Sequence, residues 1–115
     1  MKNMSEHKMK LAEPFYTLVK NNKKIVEARI YDDKRKLLKE GDTIIFMNND
    51  GEEPFKRKIK KLKLFKSFRK AIESAKLKNI LPHIRTYDEG VSLYYSFSDK
   101  YKKQEKTDGV INIYF

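Results

Sequence analysis

The chain has no cysteine, and only four glycines, three prolines and two histidines are spread through its 115 residues. Without thiols there is no disulfide, no thiolate nucleophile and no Cys-ligated zinc or iron–sulfur centre. His7 and His83 lie far apart, so a His-based metal site is not expected, and only carboxylates remain to hold a hard cation. The sequence therefore predicts neither a metal nor a cofactor. No apolar run approaches the roughly 20 residues of a membrane-spanning helix, and Met1 to Lys10 lacks the apolar core of a signal peptide. These absences predict a cytoplasmic protein. With no low-complexity linker and no internal repeat, the length fits one domain over residues 1–115, with 1–6 disordered.

What is abundant is positive charge: 27 lysines and arginines against 16 acids, a net charge of +11. Its location is more telling than its total. Between Pro54 and Arg85 there are 12 basic residues and one acid, Glu73, which gives +11, and the rest of the chain has 15 of each. Lysine outnumbers arginine 22 to 5. Such a bias can reflect genome composition, whereas phosphate contacts often favour the Arg fork. The concentration in one segment points to a polyanionic partner.

Periodicity gives the order of elements. His7 to Leu11 alternates as a short strand. Pro14, Phe15, Leu18 and Val19 fit a helix ending at Asn21-Asn22, where Asn tolerates the left-handed cap. Lys24 to Tyr31 follows as a strand, Asp32 to Leu38 as a turn or single helical turn, and Thr43 to Met47, after Gly41-Asp42, as a buried central strand. Asn48 to Gly51 is a turn into a returning strand, Phe55 to Phe65. The alternation of that strand slips, so a bulge is expected near Lys60-Lys61. Ser67 caps a helix with Phe68, Ala71, Ile72 and Ala75 inward, and the chain breaks at Ile80-Leu81-Pro82. Thr86 and Glu89 form a capping-box pattern opening a helix with Val91, Tyr94, Tyr95 and Ser98 on one side. Asp99 to Asp108 reads as a polar connector and Gly109 to Phe115 as the last strand. This order predicts an α+β fold whose strands curl into a small barrel, with a helical insertion before the final strand.

The segment Asn22 to Arg29 holds the candidate site. On a strand, Glu27 and Arg29 share a face about 7 Å apart, close enough to pair or to hold one ligand. Strict alternation turns Lys24 to the opposite face unless the strand begins after it. Because an unpaired buried charge costs several kcal/mol or more, the three residues either lie on the surface or form a polar constellation at the mouth of a cavity.

Asn22-Lys23-Lys24-Ile25-Val26-Glu27-Ala28-Arg29 resembles the Gly-x-Lys-x-x-Glu-x-Arg motif of the ASCH family, within the PUA-like superfamily, with Asn22 in place of the glycine. Gly41-Asp42, Ser67-Phe68, Leu81-Pro82, Glu89-Gly90-Val91 and Gly109-Val110-Ile111 extend the resemblance over nearly the whole chain. It implies a small mixed β-barrel of about five to six strands with flanking helices and a motif lining a cleft that receives RNA or a nucleoside. Read this way, Lys24 and Arg29 contact phosphate or a base edge, and Glu27 orients Arg29 or accepts a base amino group. Lys56, Lys58 and Lys61, in the basic segment Lys56 to Lys70, follow the backbone. Oligomeric state is left open.

Two other readings stand beside RNA or nucleotide binding. A related branch contains acetylcytidine amidohydrolases that use the motif lysine and a threonine at the glutamate position, so the resemblance implies Lys24 as base or activator. Glu27, replacing that hydroxyl, would serve as a general base toward water. That branch also uses a glutamate from the helical insertion, and here His83 lies near that position, with Asp88 and Glu89 later in the chain. The remaining reading is a non-enzymatic protein-interaction domain in which Glu27 and Arg29 form a fixed ion pair. Tyr94 and Tyr95 either stack on a base or belong to the core.

Overall fold

The computed structural model describes residues 4–50 and 53–115. The elements run β1 (Glu6–Lys10), α1 (Phe15–Lys20), β2 (Val26–Ile30), a 3-10 turn (Arg35–Leu37), β3 (Thr43–Met47), β4 (Phe55–Lys58), β5 (Lys61–Phe65), α2 (Phe68–Ala75), α3 (Leu77–Ile80), α4 (Tyr87–Ser96), α5 (Tyr101–Asp108) and β6 (Val110–Tyr114). The apolar residues of the two sheets, strictly alternating along β3 but buried on both faces of β2 and β6, and the apolar stripes of the helices merge into one core cluster that includes Met9, Val26, Ile44, Phe46, Ile72 and Ile113.

The α+β class is as expected, but the strands do not close into a barrel among the described residues. They form two three-stranded sheets, in the orders β1-β3-β4 and β2-β6-β5. β1 lies parallel to β3, and all other pairs are antiparallel. β1 and β2 are not paired. Across the gap between them the Arg29 guanidinium donates to the Lys10 carbonyl at 2.9 Å, so a side chain stands where a main-chain ladder would close the wall.

The irregularity expected at Lys60-Lys61 is the corner between the sheets. Ile59, fully in the core, donates to the Asp42 carbonyl and accepts from Gly41 N–H, both at 2.8 Å, and the next residue, Lys60, donates to Tyr114 across the other sheet at 2.7 Å. Phe55 to Phe65 is therefore two strands rather than one. β4 and β5 lie at the edges of their respective sheets.

Other expectations shift locally. β1 takes in Glu6, and next to it the buried Asp42 carboxylate accepts from Ser5 N–H at 3.1 Å and pairs with His7 Nε2 at 2.8 Å. Residues 1–3 of the expected disordered start, and Gly51 of the expected turn, lie outside the described residues. β3 is central in its sheet, although only Ile44 and Phe46 are fully buried. The stretch read as a polar connector contains α5. Its Glu105 carboxylate faces inward, accepting from Phe68 N–H and from the Tyr95 hydroxyl, each at 2.7 Å, and so ties α5 to α2 and α4. α3, which sequence periodicity did not reveal, precedes the break at Leu81-Pro82.

Candidate functional site

The site begins with the way α1 ends. Asn22 adopts φ 61°, while Asn22 N–H donates to Val19 and Lys23 N–H to Leu18. This pair of bonds is a Schellman termination, which needs a left-handed residue that Gly or Asn supplies at least strain. Lys24 N–H also donates to the Leu18 carbonyl, and Ile25 N–H to Asn79, so the chain is still turning there and β2 starts only at Val26. Lys24 is thereby freed from strand alternation and points inward.

Its ammonium is fully buried, donating to the Val26 carbonyl at 2.6 Å and the Ile80 carbonyl at 2.5 Å, with Glu27 Oε1 3.2 Å away. All three ammonium protons have acceptors. Glu27 collects five donors on two oxygens: Ala28 N–H, the Tyr94 hydroxyl and Lys24 at Oε1, and Arg29 Nε and Nη2 at Oε2. Arg29 is the outermost member. With Nε and Nη2 committed to Glu27 and Lys10, its Nη1 alone has no partner among the described residues.

The electrostatics follow from this arrangement. Burial is the strongest influence on Lys24 and lowers its pKa, with Glu27 acting against it and Arg29 adding to it. For Glu27, burial acts upward, but the charges of Lys24 and Arg29 and the hydrogen bonds from Lys24 and Tyr94 outweigh it and hold the carboxyl below its ordinary value. Burial first, and the Glu27 charge second, push the Tyr94 phenol well above its ordinary value, so it stays protonated and donates. A carboxylate held low with its lone pairs occupied is a weak proton acceptor. A lysine with every proton shared is not poised as a base.

Where β1 and β2 fail to pair, a cleft of about 240 Å³ opens beneath α4 and α5. Leu11, Ala12, Phe15, Phe97 and Tyr101 form its apolar and aromatic walls, with Glu27, Arg29 and Tyr94 on its inner side. Phe15 and Phe97 meet edge to face at 5.6 Å, and Phe97 meets Tyr94 at 5.8 Å, which fixes the angle between the walls.

The structure brings Lys24, Glu27 and Arg29 into contact, but only Glu27 and Arg29 line the cleft; Lys24 lies behind Glu27. Lys56, Lys58 and Lys61 do not line it. They are exposed on edge strands β4 and β5, with Lys56 paired to Glu6 at 2.9 Å and Lys61 over the Tyr114 ring at 5.1 Å. His83 packs edge-on against Phe15 at 5.4 Å, and burial, followed by the Lys24 charge, lowers its pKa. Asp88 pairs with Arg69, and Glu89 is exposed in the first turn of α4; neither lines the cleft. Tyr94 is buried and stacked on Phe68 at 4.7 Å, as the core alternative anticipated, and it is also a hydrogen-bond partner of Glu27, which the sequence did not signal. Tyr101 and Phe97 were missed as wall residues, since both lie where helix α5 and the end of α4 were not foreseen as part of a cleft.

Fold and site together define a small α+β domain in which a buried Lys-Glu-Arg cluster holds one arginine at the edge of an aromatic cleft between unpaired strands. The ASCH domain profile matches residues 9–115, and the chain belongs to that family. It is similar to the crystal structure of hypothetical protein PH0355, with 37% identity, a TM-score of 0.84 and 96% of each chain covered. It is also similar to the solution NMR structure of protein PF0455 from Pyrococcus furiosus, with 38% identity, a TM-score of 0.74, and 95% of this chain and 94% of that one covered. No curated protein matches it significantly.

Proposed function

We propose that this ASCH domain binds RNA or a nucleotide, seating one base in the cleft while the basic sheet edges run along the phosphates. The observation that carries the reading is the cleft itself: aromatic walls around an arginine whose Nη1 has no partner among the described residues, in a protein of net charge +11. At about 240 Å³ it is smaller than the roughly 300–1,000 Å³ typical of drug-sized ligands, which suits a single base rather than an extended cofactor. Flat bases stack on aromatic side chains whatever their sequence, and Lys58, Lys61 and Lys63 have no carboxylate within ion-pair distance among the described residues, which leaves them available to phosphate. The fold is read as PUA-like in this proposal, with the cleft at the unclosed side. Hydrolysis of a modified nucleoside has less support, because Lys24 and Glu27 are saturated by protein partners.

Fluorescence anisotropy with short single-stranded RNA over a range of salt concentrations tests the proposal. Affinity should fall with a slope of about −0.7 in log K per phosphate contacted on a single strand, and Arg29→Gln should weaken binding. Absent binding at low salt, or an affinity indifferent to salt, refutes it.

A further inference from the structure

The hydrogen-bond inventory of the cleft goes further than binding. Glu27 has no lone pair left for a ligand, since Lys24, Ala28 N–H, Tyr94 and both Arg29 donors already occupy its oxygens. The Lys10 carbonyl, also at the cleft, already accepts from Arg29 Nη2. What the cluster offers outward is donation: the two Nη1 protons of Arg29, held in place by its other three. The remaining polar side chains among the described residues lining the cleft are the Asn49 amide and the Tyr101 hydroxyl, each of which both donates and accepts and so does not discriminate, and the Lys10 ammonium, which only donates.

We infer that the cleft selects a base presenting oxygen acceptors, an oxo base of the uracil or guanine type, over adenine. This rests on the binding reading above and makes it specific. Uracil and guanine meet a donating guanidinium with carbonyl oxygens, as Arg does with guanine O6 and N7. Adenine places its N6 amino group beside its ring acceptors, and a donor facing a donor, with no free carboxylate among the described residues lining the cleft to receive it, leaves that group without a protein partner. The role assigned to Glu27 also narrows: it is a positioning residue for Arg29 and not a contact for a base amino group.

The test is titration of the full chain with uridine, guanosine and adenosine followed by NMR shifts, alongside U-rich and A-rich single-stranded hexamers by anisotropy. Uridine and guanosine are expected to bind at least about tenfold tighter than adenosine, which equals about 1.4 kcal/mol. Arg29→Lys, which keeps the charge but not the planar fork, and Arg29→Gln should both erase this ratio while their thermal midpoints show them folded. Binding of RNA or nucleosides without base preference, or a preference that survives in both folded variants, overturns the inference and leaves the binding proposal standing. Absence of any binding overturns both.

Discussion

Lysine plays two different parts in two regions of this molecule. At Lys24 it is sealed in the core, where its ammonium bridges β2, α3 and Glu27 and has no access to solvent. Along β4 and β5 it is exposed at sheet edges, where Lys58, Lys61 and Lys63 carry no ion pair among the described residues. The difference lies in solvation. Removing water from an ammonium makes each partner indispensable, so the buried lysine organises the site without touching what enters it. A hydrated lysine keeps its charge in water even where, as at Lys61, it leans over a ring, discourages edge-to-edge strand pairing and stays available to an anionic partner.

Glu27→Gln should separate the two regions most sharply. It leaves the Lys24 ammonium buried without its counter-charge, and a loss of about 3–5 kcal/mol is expected in urea unfolding; a loss below about 1 kcal/mol breaks the comparison. Tyr94→Phe keeps the stack on Phe68 but removes the donor to Glu27, with an expected cost of about 1.5–3 kcal/mol, as for hydrogen bonds to charged groups.

Acid sharpens the same contrast. Glu27 and Asp42 both have folded-state pKa values below their ordinary ones, Asp42 because the hydrogen bond from His7 and those from Ser5 and Lys39 N–H outweigh the opposing effect of burial. The unfolded chain therefore takes up protons first. Their contribution is full above the ordinary carboxylate range and is lost as pH falls through it toward the folded values. Urea midpoints measured from pH 7 to pH 3 should fall, and Glu27→Gln should flatten part of that fall. The smallest effect belongs to the edges: Lys58→Gln, Lys61→Gln and Lys63→Gln should each change stability by no more than about 0.5 kcal/mol, while together they should make RNA affinity less dependent on salt. Destabilisation comparable with Glu27→Gln would show that edge lysines also carry the fold.

Much of this was legible because it is local. The helix end at Asn22, the alternation of Val26, Ala28 and Ile30, the cap at Ser67 and the pattern at Thr86 each follow from neighbours within a turn. α5 was not, because Tyr101 is its one apolar residue and Glu105 its one fully buried residue, and a buried glutamate looks like any polar residue until Phe68 N–H and Tyr95 are seen to meet it. The split at Ile59 was legible as an irregularity but not as a change of sheet, which depends on partners as distant as Gly41 and Tyr114.

The sequence by itself determined that Glu27 and Arg29 share a strand face, that one segment carries the surplus charge, and that strands and helices combine in an α+β chain. Tertiary structure decided which of Lys24, Glu27 and Arg29 faces a ligand. Alternation specifies directions only inside a strand, and Lys24 lies in a turn whose direction is set by hydrogen bonds to Leu18 and Ile80. It decided as well that the wall stays open between β1 and β2, because strand pairing depends on contacts distant in sequence, and in that opening Arg29 reaches Lys10 and leaves room for the cleft.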